Sequence, residues 1–159
     1  MRVGIGYDIH RLTKGRKLFL GGMQIDHPLG LLGHSDADVL LHAIGDALLG
    51  AAGLGDIGEH FPDDDPRIKD ISSVKLLKKI HVMIEEKGYA IENIDCIIFA
   101  EAPKITPLKS KMEENISGVL GINRESVNIK AKTMEKLNAV GQGKAIAASC
   151  IVLVTNKKE

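Results

Sequence analysis

Apolar and polar positions alternate with period two over residues 2–10, where Val3, Ile5, Tyr7 and Ile9 interleave with Gly4, Gly6, Asp8 and His10. That is the pattern of a β-strand with one buried face, and the apolar set is the one expected inside. The period changes over residues 35–51. There Leu40, Ile44, Ala47, Leu48 and Ala51 make one stripe of a helix, while Asp38, His42 and Asp46 follow at i, i+4 spacing along the opposite side. Ser35 is placed to cap this helix, with Asp38 as the carboxylate of a capping box. Residues 72–87 repeat the amphipathic pattern, with Leu76, Leu77, Ile80 and Ile84 inward and Gly88 just beyond. A third helix begins near Pro107, carries Leu108, Met112, Ile116 and Val119, and stops at Gly121. Residues 91–101 and 127–133 read as strands, and the continuous apolar run 145–155 as a central strand covered on both faces. Residues 17–20 and 23–26, on either side of Gly21-Gly22, form a short hairpin. Residues 30–33, 53–66 and 134–143 read as loops, the second too rich in Gly, Pro and Asp for a regular element.

This order of elements predicts an α+β fold: a single domain over residues 1–159, its mixed sheet carrying a layer of helices on one face. Composition narrows the picture by exclusion. With 159 residues, 44% hydrophobic, and 21 basic against 21 acidic residues, the chain can bury a sizeable core and carries no formal net charge. No basic excess points to nucleic acid, and no charge run or long apolar span points to a membrane. Cys96 and Cys150 lack a C-x-x-C pattern and are expected as buried free thiols. With no cationic-then-apolar pattern at the N-terminus, the expected location is the cytoplasm.

The candidate chemistry begins on the first strand. Asp8 and His10 stand two residues apart, about 6.6 Å along a strand, so both can converge on one ion, and Gly4 and Gly6 clear space on the same face. His42, on the polar side of the first helix, adds a third donor. Alone it reads as part of a solvated face; with the other two it completes a two-His, one-carboxylate set, the composition of a catalytic zinc site with an open position. Residues 30–33 deliver His34 and Ser35 to a helix start, where free N–H groups and the helix dipole favour a phosphate. The carboxylates of the 53–66 loop suit polyol hydroxyls or a divalent cation, or equally turn chemistry.

Five separated segments then occur in order: Gly6-Tyr7-Asp8-Ile9-His10; Gly33-His34-Ser35-Asp36-Ala37-Asp38-Val39; Asp56-Ile57-Gly58 with Phe61-Pro62-Asp63-Asp64-Asp65-Pro66; Ala102-Pro103-Lys104; and Lys132-Thr133-Met134-Glu135-Lys136-Leu137. On these segments, and over nearly its whole length, the chain resembles the 2-C-methyl-D-erythritol 2,4-cyclodiphosphate synthase family of non-mevalonate isoprenoid biosynthesis. The resemblance implies a metal-dependent lyase that closes 4-diphosphocytidyl-2-C-methyl-D-erythritol 2-phosphate into the 2,4-cyclodiphosphate and releases CMP. It implies a homotrimer with sites at subunit boundaries. One Zn²⁺ per site would be held by Asp8, His10 and His42, and Glu135 would help place a Mg²⁺ or Mn²⁺ that arrives with the diphosphate. His34 and Thr133 are implied as transition-state stabilisers. Asp8, Ile9, His10, His34, Ser35, Asp56, Ile57, Gly58, Phe61, Pro62, Asp63, Asp64 and Asp65 are implied to hold the sugar phosphates and ribose. Ala100, Glu101, Ala102, Pro103, Lys104, Ile105 and Thr106, with Lys132, Thr133, Met134 and Glu135 of the neighbouring subunit, are implied to hold the cytidine nucleotide.

The chain departs from the family's usual pattern at Asn138-Ala139, where Gly-Phe is common, at Gln142, where Arg is common, and at Lys132, where Thr is usual. Two other readings stay open on the residues themselves. One is a dinuclear phosphohydrolase, with Asp36, Asp38 or Asp46 completing a second metal shell. The other is a trimeric binding protein without activity.

Overall fold

The computed structural model describes residues 1–62 and 71–157. In chain order the elements are β1 (Arg2–Thr13), β2 (Leu18–Leu20), β3 (Met23–Ile25), β4 (Gly30–Leu31), α1 (Val39–Ala52), α2 (Ile57–His60), α3 (Ser73–Glu86), β5 (Tyr89–Phe99), α4 (Lys109–Leu120), β6 (Val127–Lys132), α5 (Asn138–Gly141) and β7 (Ala145–Asn156). The main sheet is ordered β4-β1-β7-β5-β6; only β5 and β6 are parallel, and β2-β3 form the expected hairpin apart from it. The fold is therefore the mixed α+β type, with the long helices α1, α3 and α4 layered on one face.

α1 is the hub of that layer. Asp38 caps it, accepting from the Leu41 N–H at 3.1 Å, and Gly53 ends it in the left-handed conformation at φ 71°. The helix thus begins at Val39, and Ser35 is not its cap: Ser35 Oγ closes a tighter turn, accepting from Ala37 N at 3.0 Å. The same Asp38 carboxylate accepts from Gly21 N at 3.0 Å and Gly22 N at 2.7 Å, so it pins the β2-β3 turn to the helix. Asp38 is fully buried, not part of a solvated face. α1 is buried almost all round: Val39, Leu41 and Leu49 are as enclosed as the expected stripe, because sheet, hairpin and α3 surround it.

The faces of β1 are the reverse of the expectation. Gly4 and Gly6 are buried, while Val3, Ile5, Tyr7 and Ile9 are 67%, 71%, 58% and 44% exposed. The reason is close approach. A Cβ on Gly4 or Gly6 would overlap the carbonyl oxygen of Ala47 or Ala43, so α1 lies on the backbone of β1 and only glycine fits between them. The outward apolar row continues onto β7, where Ile151, facing Ile5 in register, is 49% exposed. The expectation that β7 is covered on both faces therefore fails in its second half.

Three further segments differ from their loop readings. Gly30–Leu31 pairs with Leu12 and Thr13, α2 lies inside the 53–66 stretch, and α5 lies inside 134–143. α2 is capped by Asp56, which accepts from Glu59 N at 3.0 Å. The short α5 belongs to a small second cluster of Val140, Ala145 and Ala147 with Phe99 and Met134, on the face away from the long helices. Cys96 and Cys150 are buried and free as expected, and stand opposite each other on β5 and β7 with sulfurs 3.2 Å apart.

Candidate metal centre and active site

Because the Gly face of β1 lies on α1, Asp8 and His10, which continue that face, meet His42 on the helix. Asp8 Oδ2 is 2.9 Å from His10 Nε2 and 2.9 Å from His42 Nδ1, and the two ring nitrogens are 3.2 Å apart. Their ligand atoms all lie within 4.8 Å of one another. This triangle fits a metal: donors on a tetrahedron with bonds of ~2.0–2.1 Å stand about 3.3 Å apart. The donor chemistry fits too, since two neutral imidazoles and one carboxylate leave a position open. Burial pushes the Asp8 carboxyl up, but hydrogen bonds from His10 and His42, and their charge, more than offset this and hold it well below the usual carboxylate range.

Each imidazole turns its other nitrogen to an oxygen that fixes the ring. His10 Nδ1 lies 2.8 Å from the Leu32 carbonyl; His42 Nε2 lies 2.9 Å from Ser73 Oγ and 3.2 Å from Ser35 Oγ. A carbonyl only accepts, so His10 donates from Nδ1; with a metal ion bound, the neutral ring would turn the Nε2 lone pair to it in place of the hydrogen bond to Asp8.

A cleft of about 300 Å³ opens on this triangle, lined by Asp8, His10, Gly33, His34, Ser35, His42, Asp46, Ile57, Gly58, Phe61 and Leu76. His34 is exposed at it and Ser35 is buried behind. Asp46 accepts from Ile57 N at 2.9 Å, so α1 holds α2 and its Gly58 against the cleft; burial pushes the Asp46 carboxyl up, and the charges of Asp56 and Asp8 add to that. Ile9 points to the opposite face, with Tyr7 and Phe99, and not into the cleft. Asp63, Asp64 and Asp65 lie outside the described residues, while Pro62 is exposed beside Phe61.

The remaining predicted residues form a second group. Ala100 N donates to Lys132 O at 3.0 Å, Glu101 Oε1 accepts from Met134 N at 2.8 Å, and Thr133 Oγ1 donates to Glu135 Oε1 at 2.8 Å. Thus segments 100–106 and 132–135 are tied together beyond the ends of β5 and β6. Ala102, Lys104 and Thr106 are exposed there, Pro103 is half-buried, and Ile105 is packed into the core. Glu135, Lys136 and Asn138 hold φ of 49°, 63° and 54°, a left-handed conformation that non-glycine residues seldom adopt. Among the described residues, none of this group lines the cleft at the metal triangle.

Of the three expected second-metal ligands, Asp46 lines the cleft but accepts from Ile57 N, and Asp36 and Asp38 are committed elsewhere. Asp38 takes the three backbone N–H groups described above, and Asp36 Oδ2 accepts from Ser73 N at 3.0 Å. Among the described residues a single cluster of three metal-ligating groups forms. Sequence reasoning missed Ser73 and the Leu32 carbonyl; a serine at a helix start reads as a cap, and a carbonyl carries no sequence signal.

Fold and site together define a class: an α+β protein whose described residues bring together one group able to hold a metal, at an open cleft. The chain belongs to the YgbB family, whose model matches residues 1–155. It is 56% identical over 159 residues to the 2-C-methyl-D-erythritol 2,4-cyclodiphosphate synthase of Agathobacter rectalis, covering all of this chain and 90% of that one. It is similar to the bifunctional IspDF of Campylobacter jejuni at TM-score 0.95 and 40% identity, over 99% of this chain and 42% of that longer one. It is also similar to a CDP complex of IspF from Plasmodium falciparum, with TM-score 0.87 and 37% identity over 99% of this chain and 97% of that one.

Proposed function

We propose that this chain carries out the reaction its relatives are named for, closing 4-diphosphocytidyl-2-C-methyl-D-erythritol 2-phosphate to the 2,4-cyclodiphosphate with release of CMP. The observation that carries this reading is the Asp8, His10 and His42 triangle facing an open cleft. In the reaction an oxygen of the substrate's 2-phosphate attacks its own β-phosphorus, the bond from that phosphorus to the bridging oxygen breaks, and CMP leaves with the electron pair. A phosphate monoester has a second pKa of about 6, so the nucleophile is largely ionised near neutrality and no protein base is needed. What the protein supplies is position and charge.

Zn²⁺ on Asp8, His10 and His42 would polarise the phosphoryl oxygens, while Mg²⁺ or Mn²⁺ near Glu135 would neutralise the charge that builds on the departing CMP. His34, at the cleft, donates to the phosphoryl oxygens as charge builds. Ser35 and Gly58 offer backbone and hydroxyl donors, and Asp56 accepts from the sugar hydroxyls. Thr133 and Glu135 serve the nucleotide end together with the backbone edges of residues 100–106, whose N–H and C=O groups match a cytosine rim.

The cleft and the nucleotide group come from different parts of the chain, and the second does not line the first. A homotrimer in which each cleft is completed by residues 100–106 and 132–135 of the neighbour resolves this. The open apolar row of Val3, Ile5, Tyr7, Ile9 and Ile151 supports an assembly, because an exposed patch of this kind is the mark of an interface. A single catalytic domain acting in the cytoplasm completes this proposal; no helix among the described residues is long and apolar enough to cross a membrane.

The test is product analysis. Purified protein with the nucleotide substrate and a divalent cation is expected to yield CMP and cyclic diphosphate in equal amounts by ³¹P NMR. Inorganic phosphate as the product would select the phosphohydrolase instead, and substrate recovered intact would leave a binding protein.

A further inference from the structure

The two imidazoles of the centre are held in different ways. His10 leans on a backbone carbonyl, which every sequence has. His42 leans on a side chain that leads further: Ser73 Oγ, 2.9 Å from His42 Nε2, in turn makes a short hydrogen bond to Asp36 Oδ1, and Asp36 Oδ2 accepts from Ser73 N at 3.0 Å. Asp36 itself is fixed by its own N–H to the Ile71 carbonyl at 3.2 Å. Ser73 is 1% exposed. Ser35 Oγ also approaches His42 Nε2, at 3.2 Å, but it is occupied as acceptor from Ala37 N and leads to no carboxylate.

Resting on the metal-centre reading above, we propose that Ser73 and Asp36 are positioning residues for the metal ligand His42, forming a chain in which His42 Nε2–H donates to Ser73 Oγ and Ser73 Oγ–H donates to Asp36. The direction follows from roles. A His42 that ligates through Nδ1 must carry its proton on Nε2 and so needs an acceptor there; Asp36 accepts from Ser73 N through Oδ2 and from Ser73 Oγ–H through Oδ1, which leaves the Oγ lone pairs for the imidazole. The chain fixes ring orientation and tautomer and makes Nδ1 a stronger donor to the ion. Asp36 and Ser73 are far apart in sequence, on the α1 approach and the first residue of α3, so the ligand's geometry depends on how two elements dock.

The experiment is a metal titration. The metal-free wild type, Ser73→Ala, Ser73→Thr, Asp36→Asn and the Ser73→Ala/Asp36→Asn double variant are titrated with Zn²⁺ against a chromophoric chelator, and with Co²⁺ for the visible spectrum of the site. Ser73→Ala keeps the backbone N–H bond to Asp36 and removes only the hydroxyl, so the metal-free protein is expected to melt near wild type. Its zinc affinity is expected to fall ~10- to 100-fold, the usual effect of losing a hydrogen-bond partner behind a metal-bound histidine. Ser73→Thr restores the hydroxyl and is expected to bind within about threefold of wild type with a wild-type cobalt spectrum. Asp36→Asn weakens binding, and the double variant is no weaker than Ser73→Ala alone, since both act through one chain. Zinc affinity of Ser73→Ala within about twofold of wild type overturns the proposal, as does additivity in the double variant. Equal losses in Ser73→Ala and Ser73→Thr, with both metal-free forms melting lower, assign Ser73 to packing and overturn it too. A wild type that takes up no metal removes the centre itself, an outcome distinct from these.

Discussion

The two faces of β1 carry opposite residues and do opposite work. Toward α1 the strand shows Gly4, Gly6, Asp8 and His10; away from it, Val3, Ile5, Tyr7 and Ile9. On the first face the helix comes so near that side chains are excluded, and that closeness is what brings Asp8 and His10 to His42. On the second face the large apolar side chains stay 44–71% exposed among the described residues. Residue size along a sheet therefore reports the distance to the next layer, and hydrophobicity alone does not say which layer belongs to the same chain.

The largest effect is expected on the glycine face. Gly6→Val places side-chain atoms on the Ala43 carbonyl and must lift α1 from the sheet, so a loss of at least about 3 kcal/mol or failure to fold is expected. Urea unfolding measures it, and a variant within about 1 kcal/mol of wild type would show that helix and strand do not touch as described. Next comes Asp38→Ala, which strands the Gly21, Gly22 and Leu41 N–H groups; about 3 kcal/mol is expected in the same assay, and less than about 1 would mean water replaces the carboxylate at no cost. Across the sheet, Ile5→Lys should leave the single chain's stability within about 0.5 kcal/mol yet shift the protein to monomers in sedimentation. An unchanged sedimentation coefficient would take the open apolar face out of the interface.

The smallest effect is expected for Asp95 and Lys130, which form an ion pair on that open side. Burial raises the Asp95 carboxyl, but hydrogen bonds from Lys130 and Asn128 and the Lys130 charge together outweigh it and hold the carboxyl below its ordinary value. A folded pKa below the unfolded one stabilises fully above the ordinary aspartate value, ~3.9, and that contribution is lost as pH falls from there through the lower folded value. Being largely solvated, the pair is worth little: Lys130→Ala is expected to cost no more than about 0.5 kcal/mol at pH 7 and nothing near pH 2. A larger cost, or one that persists in acid, would mean that this edge is enclosed by more than water.

The Asp8, His10 and His42 group was legible because its members follow rules of spacing: two on a strand at i, i+2 and one on a helix face. The face assignment of β1 was not, since alternation identifies two faces but the contact that selects the inner one is made by the backbone of a distant helix. The capping of α1 was half legible. Ser35 and Asp38 both suit a cap, and only the β2-β3 turn, whose Gly21 and Gly22 N–H groups need an acceptor, decides for Asp38. The apolar run of β7 hid its outward half because Ile151, facing solvent in the single chain, is as hydrophobic as its buried neighbours. Ser73 was invisible as a partner of His42, since nothing local joins residues 42 and 73.

Whether a site is shared between subunits is decided most directly by complementation. His42→Ala removes a donor of the metal half and Glu135→Ala a residue of the nucleotide half, and each variant alone is expected to be inactive. When the two are unfolded together in equal amounts and reassembled, a boundary site is intact if its metal half comes from the Glu135→Ala chain and its nucleotide half from the His42→Ala chain. Random assembly of trimers makes that true for roughly a quarter of sites, so CMP release near a quarter of the wild-type rate is expected. Mixed trimers confirmed by native mass spectrometry, with no CMP release above the separate variants, would contradict the shared site and place both halves within one subunit.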